Sequence, residues 1–109
     1  MVTNEQQLDL TFGALSDRTR RQILIRLANG PTTVGSLAKP FDMSRPAISK
    51  HLRVLEKAGL VQTTKDGRVS QCKLDARPMK DVSEWVGKYQ IFWDKQLDAL
   101  SRYFEEQNS

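Results

Sequence analysis

The stretch that most limits what this chain can become is "SRPAISKHLRVLEKAGL", residues 44–60. It is bounded as a helix is bounded. Ser44 is a good N-cap, Pro46 falls in the first turn, where a missing N–H costs little, and Gly59 supplies the left-handed position that ends a helix. At 100° per residue Ile48, Leu52 and Leu55 share one side, flanked by Ala47, Val54 and Ala58. The opposite side holds Pro46, Ser49, Lys50, Arg53 and Lys57. The apolar side needs a core to pack on. The cationic side is left facing water or a partner.

The segments on either side supply that core. Residues 5–15 space Leu8, Phe12 and Leu15 at helical intervals. Ser16 and Asp17 open a second helix with Ile23, Leu24 and Leu27 in one stripe, which Gly30-Pro31 stops. Thr33 can cap a short third helix carrying Val34, Leu37 and Ala38, which must end before Pro40, and "PFDM" makes a tight connection. Beyond Gly59, "LVQTTK" and "RVSQCKL" flank Asp66-Gly67, a two-residue hairpin signal. It puts Lys65 and Arg68 at the tip and turns Leu60, Cys72 and Leu74 inward. From Pro78 to about Glu105 the pattern predicts one helix of about 40 Å. Its wide apolar face carries Val82, Trp85, Val86, Tyr89, Phe92, Trp93, Leu97, Leu100 and Phe104. The predicted order is helix, helix, short helix, helix, hairpin, long helix. That is a mainly α fold with a β-hairpin wing, forming a single winged helix-turn-helix domain over residues 1–109.

Charge is distributed unevenly along this plan. The chain of 109 residues has a net charge of +4. Residues 31–77 alone hold nine Lys/Arg against four Asp/Glu, whereas residues 78–109 hold four against six. A basic surface concentrated around one free helix face points to a polyanion. No apolar run approaches a membrane span, the start lacks the pattern of a secretory signal, and a single cysteine, Cys72, suits a reducing compartment. A cytoplasmic location is expected, with no membrane partner.

A short helix, a tight turn and a second helix with a polar outer face make a helix-turn-helix, whose second helix fits the major groove of DNA. Arg45 can donate two hydrogen bonds to guanine, Ser49 can serve either base type, Lys50 can reach guanine or phosphate, and Pro46 can touch a thymine methyl group. Arg53 and Lys57, further along, suit phosphates. Further candidates for phosphate or wing contacts are Arg18, Arg20, Arg21, Thr33, Ser44, His51, Lys65 and Arg68.

These segments resemble the ArsR-type winged-helix transcriptional repressors of prokaryotes, over nearly the whole chain. "ALSDRTRRQILIRLANG" is similar to that family's second helix, "TTVGSLAKPFDMSRPAISKHLRVLEKAGLV" to its helix-turn-helix and "KDGRVSQCKL" to its wing. The tail "WVGKYQIFWDKQLDALSRYFEE" resembles a metal-independent branch. The resemblance implies a homodimer that binds a partly palindromic double-stranded operator and blocks transcription. Arg45, Pro46, Ser49 and Lys50 match the family's base-contacting positions.

Nothing in the composition calls for a cofactor, a metal or a catalytic role. The short third helix reads "VGSLAK", without cysteine, histidine or acid. Asp94 and Asp98 stand one turn apart but lack the His or thiolate partners a transition metal wants. His51 has no evident partner for nucleophilic catalysis. The four rings of Trp85, Tyr89, Phe92 and Trp93 are instead expected in a dimer interface. Leu8 and Phe12 of the first helix and Leu97, Leu100 and Phe104 complete that layer. Two alternatives remain at this level: a derepressor responding to a metal or small ligand, and a winged-helix module that binds only protein.

Overall fold

The computed structural model describes residues 3–108. Six α-helices and three short strands follow one another. They are α1 (Asn4–Leu15), α2 (Arg18–Leu27), β1 (Thr32–Thr33), α3 (Val34–Ala38), α4 (Arg45–Lys57), β2 (Val61–Asp66), β3 (Val69–Leu74), α5 (Arg77–Gly87) and α6 (Gln90–Gln107). A 3-10 turn, Lys39–Phe41, and Asp42 in the left-handed region (φ 50°) join α3 to α4.

The helix starts follow the capping residues. Thr3 and Gln6 form a reciprocal capping box on α1, Asp17 caps α2, Thr33 caps α3 and Ser44 caps α4. The end of α4 is a Schellman motif. Leu60 N–H donates to Leu55 O and Gly59 N–H to Glu56 O, both at 2.9 Å, with Gly59 at φ +77°. From the α1 side, Gln7 Nε2 donates to Ala58 O at 2.8 Å. A Cβ on Gly59 would meet Pro78 at 3.4 Å in a backbone region that L-residues avoid. Gly59→Ala is therefore expected to lose about 1–2 kcal/mol, read as a lower urea midpoint with an unchanged slope.

The buried core is assembled from α1 to β3. Its members are Ala14, Ile23, Leu27, Leu37, Ala38, Ile48, Leu52, Leu55, Ala58, Leu60, Val61 and Cys72. The sheet has the order β1-β3-β2, antiparallel throughout, with Thr63 opposite Cys72 and Val61 opposite Leu74. Cys72 is fully buried, and desolvation pushes its thiol above the ordinary range.

Two expectations change. The hairpin turn is Gly67-Arg68, not Asp66-Gly67, because Asp66 pairs with Val69. Gly67 takes φ +63° at the first turn position, the pattern of a II′ turn, where glycine is favoured. Thr32–Thr33 also form a strand against Cys72 and Gln71 just ahead of α3. On α1 the buried side chains are Thr11 and Ala14, while Leu8 is half-buried and Phe12 is exposed against Trp85. The second change is that the long C-terminal helix is two helices. The chain turns at Lys88-Tyr89, just after Gly87, the residue there with the lowest helix propensity apart from proline.

That break leaves α6 outside the core. α5 packs on α1, with Phe12 and Trp85 edge to face at 5.5 Å between ring centres. α6 has no buried residue. The radius of gyration is 19.0 Å, against about 13 Å for a compact chain of this length.

Candidate nucleic-acid interface

The outer face of α4 is built from its first turn. Ser44 Oγ accepts the Ala47 N–H at 3.2 Å, and Pro46 sits at the start of the helix. With Ile48, Leu52 and Leu55 held in the core, Arg45, Pro46, Lys50, Arg53 and Lys57 are all exposed and Ser49 is half-buried. These six positions span about 140° of the helix surface. Among the described residues, Arg45, Lys50, Arg53 and Lys57 make no ion pair. The guanidinium of Arg45 lies over the bare backbone of Gly35 on α3, where a Cβ would stand 3.6 Å from Arg45 Nη2. Gly35 was not among the expected site residues. Only the geometry shows that it lies beside Arg45.

The wing adds Lys65 and Arg68, both exposed and, among the described residues, neither in an ion pair. Arg68 occupies the turn itself, so it stands further out than the predicted turn position implied. The Thr63 hydroxyl on β2 donates to the Glu56 carboxylate of α4, tying the wing to that helix. At the other end of the wing Asp75 binds Arg77 Nε at 2.9 Å and accepts from Gln62 at 3.0 Å. The Arg77 guanidinium holds the Asp75 carboxyl well below the usual carboxylate range.

Not every expected phosphate contact is free to act as one. Arg20 is engaged inside the chain. Its Nε donates to Ala14 O at 2.8 Å, its Nη2 to Gly13 O at 3.1 Å, and its Nη1 meets His51 Nδ1 at 3.4 Å. Arg21 Nη1 donates to Leu15 O at 2.6 Å, although its side chain is exposed. Both arginines serve the end of α1, where helix carbonyls lack partners. The Thr33 hydroxyl accepts the Ser36 N–H at 3.1 Å, as Ser44 does for Ala47, and each keeps its own O–H as a donor. Arg18 is exposed. His51 is mostly buried beside Asp17, whose Oδ2 is 3.8 Å from Nδ1. The Arg20 backbone N–H on Asp17 keeps that carboxyl below its ordinary value. The cap's contribution is therefore full above about pH 4 and is lost as pH falls through the lowered value.

Residues 17–63, from the cap of α2 into β2, match the family model described as bacterial regulatory protein, arsR family. The HTH-type transcriptional regulator Rv2034 of Mycobacterium tuberculosis is 35% identical over 91% of this chain and 90% of its own length. The chain belongs to the ArsR family. Another relative, the transcriptional repressor SdpR of Bacillus subtilis, is 36% identical over 69% of this chain and 83% of its own. Among solved structures, the crystal structure of an ArsR family transcriptional regulator superposes with a TM-score of 0.78. It has 44% identity and covers 86% of this chain and 97% of that one. The solution structure of the homodimeric winged helix-turn-helix DNA-binding domain of Mb0332 from Mycobacterium bovis has a TM-score of 0.61 and 27% identity. It covers 85% of this chain and 83% of that one.

As an ArsR-family member the chain is a DNA-binding transcriptional regulator with a winged helix-turn-helix fold. The matched segment takes in α2, α3 and all of α4 but stops short of β3 and the two last helices. The family's helix-turn-helix therefore coincides with the free cationic face. Among the described residues no three His, Cys, Asp or Glu side chains converge as a metal site would require. No helix among them is long and apolar enough to cross a membrane.

Proposed function

We propose that the protein is a cytoplasmic homodimeric repressor that grips a partly palindromic operator, one α4 helix to each half-site. The observation that carries this reading is the face of α4, where four cations stand exposed without a carboxylate partner among the described residues. Arg45, Pro46, Ser49 and Lys50 lie near the helix start, the part that reaches base edges in a major groove. Ser44, Arg53, Lys57, the wing's Lys65 and Arg68, and Arg18 surround them as phosphate contacts. The repressor named SdpR and the homodimeric Mb0332 domain support the sign of regulation and the assembly.

The second copy is assigned to the apolar side chains that the monomer leaves bare. Leu97, Leu100 and Phe104 are each at least half exposed on α6, as are Phe92 and Trp93 at its start. Such a surface on a small chain marks an interface. In this arrangement α6, α5 and the outer side of α1, with Leu8, Phe12, Trp85 and Tyr89, form the dimer layer.

The test is a binding titration on a duplex selected by the wild-type protein from a random library. Arg45→Ala is expected to cost about 1–3 kcal/mol on the selected sequence and to relax preference at one base position. Lys57→Ala is expected to weaken all sequences alike and to lower the slope of log K against log[salt] by about 0.9 per lost contact. Binding by both variants that matches wild type would refute the assignment of this face.

A further inference from the structure

The contact between Arg20 and His51 supports an inference that rests on reading α4 as a DNA-recognition helix and goes beyond it. We propose that Arg20 is a positioning residue for that helix, acting through the imidazole of His51. The guanidinium branches three ways. Two branches hold the Gly13 and Ala14 carbonyls at the end of α1, and the third meets His51 Nδ1 in the middle of α4. Arg20 thus joins three helices, α1, α2 and α4, at one planar group. Lysine carries the same charge but not the rigid fork that serves three fixed acceptors.

The chemistry sets the imidazole's state. A guanidinium has donors only, so the nitrogen it meets must accept, and the proton of the neutral ring sits on Nε2. Asp17, the cap of α2, has Oδ2 3.8 Å from the same nitrogen, beyond hydrogen-bond reach. Arg20 is thus the partner that seats the middle of α4 against the ends of α1 and α2.

The chain has one histidine, so its imidazole can be followed alone. In the full chain labelled with ¹⁵N-histidine, long-range ¹H–¹⁵N spectra near pH 8 are expected to show the Nε2–H tautomer. Arg20→Lys should move the Nδ1 resonance. On the selected duplex at fixed ionic strength, Arg20→Lys should bind about three- to tenfold more weakly than wild type, as for one lost hydrogen bond, with an unchanged salt slope. An Nδ1–H tautomer in the wild type or wild-type binding by Arg20→Lys would each overturn the proposal. If the wild type selects no duplex at all, it is the DNA-binding reading that fails, and the imidazole spectrum still decides the Arg20 contact.

Discussion

Replacing Leu97 and Leu100 together with glutamate is expected to give a monomer in sedimentation velocity at micromolar concentration and to weaken operator binding by about 10²- to 10⁴-fold. Both leucines are more than half exposed on the same side of α6, near Trp93 and Phe104. A second copy would cover this side, and two carboxylates there would be buried without partners. The fold of the single chain should survive, because α6 contributes no buried residue to it. Its own helicity should not. A free helix of 18 residues is marginal in water, so α6 should melt once its partner is gone. Circular dichroism should therefore show a helical loss confined to about that length, while the hairpin and α4 keep their cooperative transition. The large effect on DNA comes from linkage of two half-sites. A dimer engages the second half-site as an intramolecular step, and a monomer must bind each one separately. Lys95→Glu, which changes charge on the opposite side of α6, serves as the control and should leave the dimer intact. If the double glutamate variant sediments as a dimer, the assignment of α6 is wrong.

The parts of this structure that could be read from sequence share a physical reason. Caps, a first-turn proline and a left-handed glycine act within a few residues, so Asp17, Ser44, Pro46 and Gly59 announced their roles directly. The stripe of Ile48, Leu52 and Leu55 obeyed helical periodicity because one broad core covers it. The misreadings arose at glycines. The Asp66-Gly67 pair placed the hairpin turn one residue early, because Asp66 stays in the ladder opposite Val69. Gly87 stands inside an unbroken apolar pattern, and periodicity alone did not register the turn at Lys88-Tyr89. The DNA face was legible as a row of residue types. That Arg20 and Arg21 belong to the end of α1 was not, because a surface arginine and an arginine that binds helix carbonyls look alike in sequence.

Leu55→Ala is the substitution expected to unsettle the fold most while touching no DNA. Leu55 is fully buried at the centre of the core face of α4, and its carbonyl accepts the Leu60 N–H that closes the helix. Removing the side chain leaves a cavity and costs about 2–5 kcal/mol. A domain of this size is stable by only about 5–15 kcal/mol in total. The melting temperature should therefore fall by about 10 °C or more, against almost no change for Arg45→Ala on the exposed side of the same helix. The two variants should also differ in how they lose DNA binding. Arg45→Ala changes the interface, so every molecule is folded and the Kd rises. Leu55→Ala leaves the outer face unchanged, so the fraction of molecules able to bind falls while the Kd of that fraction stays near wild type. Active-site titration with the selected duplex at low temperature separates these outcomes. A raised Kd with an undiminished binding fraction for Leu55→Ala would mean that the inner and outer faces of α4 had been assigned the wrong way round.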